Sequence, residues 1–289
     1  MRRAIINADD FGLSEGINKG IIEGFHAGVL TSASLLVNMP GFENAVRLAK
    51  ENPDISLGLH INIFRGLPVM PAGKVKTLLN NRGSFLESIF KIIRRLYLKQ
   101  IDLQELELEC GAQIRRALDR GLKIDHLDSE KHIHLLGGVY PAVVRSMQKY
   151  AIDKVRNINE YPYLYSLGKQ DCLFRPGSFL KASVLQLLSS SKKKINSEYS
   201  IKTADYSFGI FHTGRMTADK YMKLFSNLKE GVTEVICHPG YINGEWSAGP
   251  LSRQKYYING ARQAELSGLA GLKELSRQNK IDLINYREL

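Results

Sequence analysis

Residues 5–14 read IINADDFGLS and set two carboxylates, Asp9 and Asp10, side by side after an apolar run. Like charges in contact cost free energy unless a cation, a proton or water offsets them. The pair is therefore either a hydrated turn that caps a helix or part of a reaction centre. Further candidates recur downstream. "GLHIN" carries His60 and Asn62, "DHLDSEKHIH" carries His126, Asp128, Glu130, His132 and His134, and "ICHPG" ends on His238. Arg156 and Asn157 follow another apolar stretch. Each has a plain structural explanation taken singly: a core histidine, a turn at a strand end, an ion-paired arginine. Glu130 and His134 stand at i, i+4, which on a helical turn would aim both at one cation. Carboxylate and imidazole donors without a thiolate suit Zn²⁺, Mn²⁺, Co²⁺ or Mg²⁺. Three such ligands leave room for a water and a substrate oxygen. A spare carboxylate can take the water's proton, and a histidine opposite can protonate the leaving group. The chemistry that fits is metal-assisted hydrolysis of a carbonyl or phosphoryl centre.

Something must bring these residues together. Short apolar runs rich in β-branched residues fall at Arg3–Asn7, Ser32–Asn38, Ile55–Asn62, Lys123–Leu127, Lys154–Ile158, Ser207–Phe211, Thr233–Cys237 and Ile281–Asn285. Several are apolar throughout, as expected of parallel strands buried on both faces. Helical patterns lie between them. Ile17, Ile21 and Phe25 precede Gly28; Leu103, Leu106, Ile114 and Leu118 precede Gly121; Val139, Val143 and Met147 precede Tyr150. Thr217 is placed to cap a helix running through Leu228, and a last helix spans about 260–278. Alternating strand and helix predicts a (β/α) barrel, whose strand ends converge on one mouth. The acids and histidines sit at those ends. Irregular stretches at 66–84 and 160–200 read as loops inserted above a single domain of residues 1–289.

Composition narrows the classes. The chain has 289 residues, 44% hydrophobic and 24% charged, with three scattered cysteines (Cys110, Cys172, Cys237) and no ligand-spaced cysteine pair. A reduced, cytoplasmic protein is expected. The apolar run after "MRR" is too short for a signal peptide, and none is long enough to cross a bilayer. The net charge of +11 invites a polyanion, yet no nucleic-acid motif accompanies it. The basic groups "KIIRRLYLK" (Lys91–Lys99) and "SSSKKKINS" (Ser189–Ser197) read as solvated helix faces, or, for the first, as a weak contact with an anionic membrane surface. That helix and Tyr256–Tyr257 are candidate interfaces for a homo-oligomer.

"NADDFGLSEGIN", "GLHIN", "HLDSEKHIHL" and "CHPG", in that order, resemble the YdjC/ChbG-like carbohydrate deacetylases, a family that includes hopanoid-biosynthesis relatives. The likeness extends to connecting pieces such as "LLNNRGSF". It implies a TIM-like barrel of the glycoside hydrolase/deacetylase type, irregular or seven-stranded. It also implies removal of an acetyl group from an N-acetylated amino sugar, as an oligosaccharide or a glycolipid headgroup, with a divalent metal. By motif, Asp9 would be the general base, Asp10 and His60 metal ligands, and His238 the general acid. Asp128 would orient a neighbouring group from behind, and Arg156 would position base or substrate. The family reads Asp-Ser-His-x-His-x-His after the fourth strand, its first histidine being the third ligand. Here the run is Asp128-Ser129-Glu130-Lys131-His132-Ile133-His134, and Glu130 takes that histidine's place. Glu130 is the expected ligand, with His134 as its rival and His132 beside them near the substrate. A carboxylate there shifts preference toward Mg²⁺ or Mn²⁺. Rival readings are hydrolysis of a phosphoester or glycoside at the same rim, and a non-catalytic sugar- or metal-binding relative.

Overall fold

The computed structural model describes residues 1–160, 176–242 and 260–289; Cys172 and Tyr256–Tyr257 lie outside them. Among the described residues, seven parallel strands form one sheet: β1 (Arg2–Phe11), β2 (Ser32–Leu35), β3 (Ser56–Ile61), β4 (His126–Ser129), β5 (Tyr206–Phe208), β6 (Gly231–Cys237) and β7 (Ile281–Leu283). Their order is β4-β3-β2-β1-β6-β5, with β7 on the first residues of β1. The sheet curls as a barrel does, and residues 153–159 link its two edges. Leu127 N donates to Lys154 O (2.9 Å) and Arg156 N to Leu127 O (3.0 Å) on one side. Val155 N donates to Lys202 O (3.1 Å) and Ser207 N to Asn159 O (3.1 Å) on the other. The strand expected at Lys154–Ile158 is thus reduced to isolated bridges, Leu127–Val155 and Lys154–Lys202. At its end side chains take over from the ladder, Ile158 N donating to Ser189 Oγ and Asn159 N to Ser207 Oγ.

Helices cover the outside: α1 (Glu15–His26), α2 (Phe42–Glu51), α3 (Ile89–Tyr97), α4 (Leu103–Asp119), α5 (Val139–Lys149), α6 (Pro176–Ser190), α7 (Lys193–Glu198), α8 (Ala218–Ser226), α9 (Ala261–Gly268) and α10 (Leu272–Gln278). Caps start several of them. Ser14 accepts from Ile17 N, Ser88 from Lys91 N and Asp102 from Gln104 N, each satisfying an otherwise orphaned donor. The loop expected at 160–200 holds two helices, α6 and α7, in its described part. The last helix is two, because Gly271 at φ +82° breaks it. On α3, Ile92 is buried while Phe90 and Tyr97 face outward. No helix among the described residues is long and apolar enough to cross a membrane.

Two departures concern the site directly. β1 runs through Phe11, so Asp9 and Asp10 belong to the strand instead of following it. Asp10 takes φ +73°, a conformation that aspartate tolerates better than most residues. The fourth strand begins at His126, not Lys123, and its continuation Glu130–Leu135 is no regular helix. Lys131 and His132 adopt left-handed conformations (φ 55° and 56°), which breaks the i, i+4 relation drawn between Glu130 and His134.

Alternation does the rest. Ala4, Ile6 and Ala8 pack outward in the main apolar core with Ile17 and Ile21 of α1. Asn7 and Asp9, of opposite parity, point into the barrel, since successive strand side chains face opposite sides. Behind β6, the His238–Gly240 turn lies against α1. A Cβ on Gly20 would sit 2.6 Å from Gly240 Cα, and Tyr241 N donates to Gly16 O (3.0 Å). Only glycine lets the two backbones approach so closely. We expect Gly20→Ala to lower stability by about 1–3 kcal/mol, the usual cost of overpacking, as measured by urea unfolding. It should also displace the His238 turn.

Candidate active site

The barrel interior is unusually polar, and register explains who meets whom. His60 of β3 is paired with Asp128 of β4, so both side chains project to the same face. His60 Nδ1 lies 2.7 Å from Asp128 Oδ1. Ser34 of β2 donates to the other Asp128 oxygen (2.7 Å) and accepts from Asn7 Nδ2 (2.9 Å). Asn7 Nδ2 also reaches Asp9 Oδ1 (3.0 Å). At the centre is Arg156, fully buried. Its Nη1 and Nη2 donate to the two oxygens of Asp9 (2.9 and 2.7 Å), and its Nε to Glu234 Oε1 (2.9 Å). Nη2 is also 2.7 Å from Asp128 Oδ2.

Burial alone would raise the pKa of Asp128, yet Arg156 and His60 hold it well below the usual carboxylate range. Burial likewise opposes charge on Arg156, and Asp128, Asp9 and Glu234 more than compensate. Glu234 goes the other way, desolvation pushing it up to about 7 against the pull of Arg156. For His60, burial disfavours the imidazolium, but Asp128, Asp9 and Asp10 together raise it to about 9.

Above this layer opens a cavity of about 270 Å³ lined by Asp9, Asp10, His60, Glu130, His132 and His238, with Lys131 and Lys181 among its other walls. His238 Nε2 is 3.7 Å from Asp9 Oδ2. His60 Nε2 is 4.0 Å from Asp10 Oδ1. Asp10 is fixed from behind by Arg262 Nη2. Desolvation works against its charge, and Arg262, Arg65, His60 and His238 outweigh it, so its pKa is lowered. Glu130 faces the same cavity, but both its oxygens are held by Arg65, Nε at 2.7 Å and Nη2 on the second oxygen. His134 is turned aside. Its Nδ1 is 2.7 Å from Ser129 Oγ and its Nε2 3.3 Å from Arg156 O. His126 lies on the barrel floor, stacked on Tyr286 with ring centroids 3.6 Å apart.

Asp9, Asp10, His60, Glu130, His132 and His238 therefore share one cavity, Asp128 and Arg156 lie beneath it and His134 is turned away, and motif reading missed several of their partners. α9 supplies Arg262 to Asp10 and Glu265 to His238, whose N–H donates to Glu265 Oε2. These two stand at i, i+3 on one helix face, and both are fully buried. A charged pair on the face that should be apolar was the available signal. Arg65 follows His60 by five residues in "HINIFRG" and Glu234 interrupts an apolar strand; neither has a spacing that marks it.

The donor atoms suit a divalent ion. A nitrogen of His60 and one oxygen each from Asp9 and Asp128 lie within 4.8 Å of one another. Asp128 and Asp9 are, however, bound by Arg156. His60 holds Asp128 through Nδ1 and turns Nε2 toward Asp10, the orientation a carboxylate behind the ring imposes on a ligating histidine.

Residues 3–273 match the sequence model of the YdjC-like proteins. The chain belongs to the YdjC-like family. Among its relatives, proteins named carbohydrate deacetylase from Listeria monocytogenes serotype 4a (37% identical, 99% of this chain and 100% of the relative) and Geobacillus stearothermophilus (31%, 99% and 98%) align end to end. One from Brevibacillus brevis is 29% identical over 99% of both chains. A crystal structure from Enterococcus faecalis V583, provisionally described as a cellobiose-phosphate cleavage protein, superposes with a TM-score of 0.73. It is 24% identical and covers 99% of this chain and 98% of its own, which establishes the shared fold of this YdjC-like chain.

The raised pKa of His60 makes a thermodynamic prediction. The unfolded histidine titrates near 6.5 and the folded one near 9, so the folded state holds the proton more tightly. That stabilisation is complete below about 6.5 and is lost as pH rises through 9. At about 1.36 kcal/mol per tenfold change in proton affinity, it amounts to roughly 3 kcal/mol. We expect denaturant unfolding of chelator-treated protein to show this fall, and His60→Gln to remove most of it.

Proposed function

We propose that this chain is a metal-dependent carbohydrate deacetylase that hydrolyses the acetamide of an N-acetylated amino sugar. The observation that carries the reading is the facing pair in the cavity: Asp9, fixed by both Arg156 nitrogens, stands 3.7 Å from His238 Nε2. A carboxylate positioned so firmly is suited to take the proton of an attacking water. A histidine across from it is suited to deliver one to the departing nitrogen. The full-length relatives named carbohydrate deacetylase support the bond and the substrate class. The cavity's modest size suits an acetamido group and part of its ring, with the rest of a saccharide outside.

Asp10 and His60 are the donors for a divalent ion, Mg²⁺ by family resemblance, with Zn²⁺, Mn²⁺ or Co²⁺ as substitutes. When bound, such an ion supplies Lewis acidity that polarises a carbonyl and acidifies water. Asp128 fixes the His60 tautomer so that Nε2 faces the cavity. Arg156 keeps Asp9 oriented, and Arg262 does the same for Asp10. Glu265 receives the His238 backbone N–H and lies 3.8 Å from its Nδ1, a placement suited to stabilising the imidazolium. The sequence of events is proton removal by Asp9, attack on the acetyl carbon, proton donation by His238 and release of acetate and an amine. Cys110 and Cys237 are both buried thiols, in keeping with a reducing compartment such as the cytoplasm.

Acetate release from N-acetylated chito-oligosaccharides, assayed beside phosphate and reducing-end release, tests the reaction class. Asp9→Asn should lower kcat by about 10²–10⁴-fold, the range for a general base, while divalent binding measured by calorimetry persists. Near wild-type turnover would remove Asp9 from that role. Separately, Asp10→Ala and His60→Ala should each abolish stoichiometric Mn²⁺ binding; retention in either variant strikes that residue from the donor set.

A further inference from the structure

Glu130 lines the cavity where a third donor is needed, and Arg65 pairs with it there. Arg65 is buried, and its guanidinium covers both Glu130 oxygens. Its backbone is clamped as well. Arg65 N donates to Asn62 Oδ1 (3.0 Å) and Arg65 O accepts from Asn62 Nδ2 (3.0 Å). Asn62 itself is tied to Gln113, whose Oε1 accepts from its N–H and whose Nε2 donates to its carbonyl. The arginine is thus held by a network and does not lie along the wall as a mobile side chain. Its charge also reaches Asp10, where it is among the positive charges that favour the carboxylate. Lys131 Nζ adds a second cation 3.8 Å from Glu130 Oε1.

We propose that Arg65 is the residue that sets the metal affinity of this site, acting as a built-in competitor that keeps Glu130 off the ion. The inference rests on Asp10 and His60 being the donors. Two consequences follow from simple electrostatics. A fixed positive charge beside the donor carboxylates repels a divalent cation. A carboxylate engaged in a buried bidentate fork gives up two charge-assisted hydrogen bonds before it can ligate. Both effects weaken binding, and both disappear together when the guanidinium is removed. The arrangement makes Arg65 a positioning residue, because it governs the ion through Glu130 and Asp10 without being a donor.

The sign of one substitution separates this from the alternative in which Glu130 already ligates and Arg65 only supports it. Mn²⁺ binding to the full chain is measured by calorimetry for wild type, Arg65→Met, Arg65→Met/Glu130→Gln and Asp10→Ala, with the Co²⁺ visible spectrum as a second readout. Arg65→Met should tighten Mn²⁺ at least about tenfold, because removing one unit charge from beside the donors is worth more than the equivalent ~1.4 kcal/mol. Its Co²⁺ spectrum should change, and adding Glu130→Gln should reverse the spectral change and remove the part of the gain that comes from Glu130. Unchanged or weaker binding in Arg65→Met overturns the proposal. Should that variant fail to fold by circular dichroism, Arg65→Gln gives the same test, because it also removes the charge while retaining a polar group for Glu130. The Asp10→Ala arm separates the two readings. Binding lost there with no gain in Arg65→Met refutes only the role of Arg65. Binding unaffected by Asp10→Ala refutes the donor assignment beneath it.

Discussion

One guanidinium, that of Arg156, is shared among Asp9, Asp128 and Glu234 in the interior of the barrel. Burying an isolated ion costs several kcal/mol, and attraction offsets this only when the remaining hydrogen-bonding capacity is also met. Here it is largely met. Ser34 and His60 complete Asp128, and Asn7 assists Asp9. Desolvation pushes the pKa of Glu234 up to about 7 against the pull of Arg156, which eases the cluster's excess negative charge toward acid pH. The Asp9 and His60 side of the site leans on this layer. The orientation of Asp9 comes from it directly. That of His60 comes through Asp128, and the facing of Nε2 toward Asp10 comes through His60.

Cations recur one layer higher. Asp10 has Arg262 and Glu130 has Arg65, so the acids at the mouth are balanced by the chain's own charges. This is a different solution from leaving carboxylates bare for an ion to neutralise. It explains how two adjacent aspartates can sit in a strand that is buried along nearly its whole length. It also gives the region after β4 a purpose. The left-handed residues Lys131 and His132 bend the chain so that Glu130 faces the cavity while His134 turns back toward Ser129 and Arg156.

Much of this was legible in the order of the residues. The alternation of apolar runs and helical patterns predicted a barrel, and β3 and β6 fall close to where the pattern places them. Asp9, Asp10, His60, Glu130, His132 and His238 do converge on one cavity, because strand ends in a parallel sheet share a rim whatever their separation in sequence. The failures have physical causes. A strand that continues through two acids does not look like a strand, since its inward face is polar. The 153–159 segment is held by two isolated bridges and a few side-chain hydrogen bonds, too short a ladder to carry a strand's periodic signal. Arg65, Glu234, Arg262 and Glu265 gain their meaning only from partners far away along the chain. A lone arginine on a helix reads as a solvated charge until a carboxylate is found beside it.

Those separations carry a consequence for how the protein is made. Asp9 and Asp10 leave the ribosome first, Arg156 follows 147 residues after Asp9, and Arg262 comes 252 residues after Asp10. At synthesis rates of about 5–20 residues per second, the acids wait roughly ten seconds or more for their last partner. During that interval β1 has its apolar outward face ready for α1, but its inward face lacks counter-charges. Neutralisation of the acids is therefore staggered, Asp9 by Arg156 first and Asp10 by Arg262 last, and a chain truncated before α9 would leave Asp10 without Arg262.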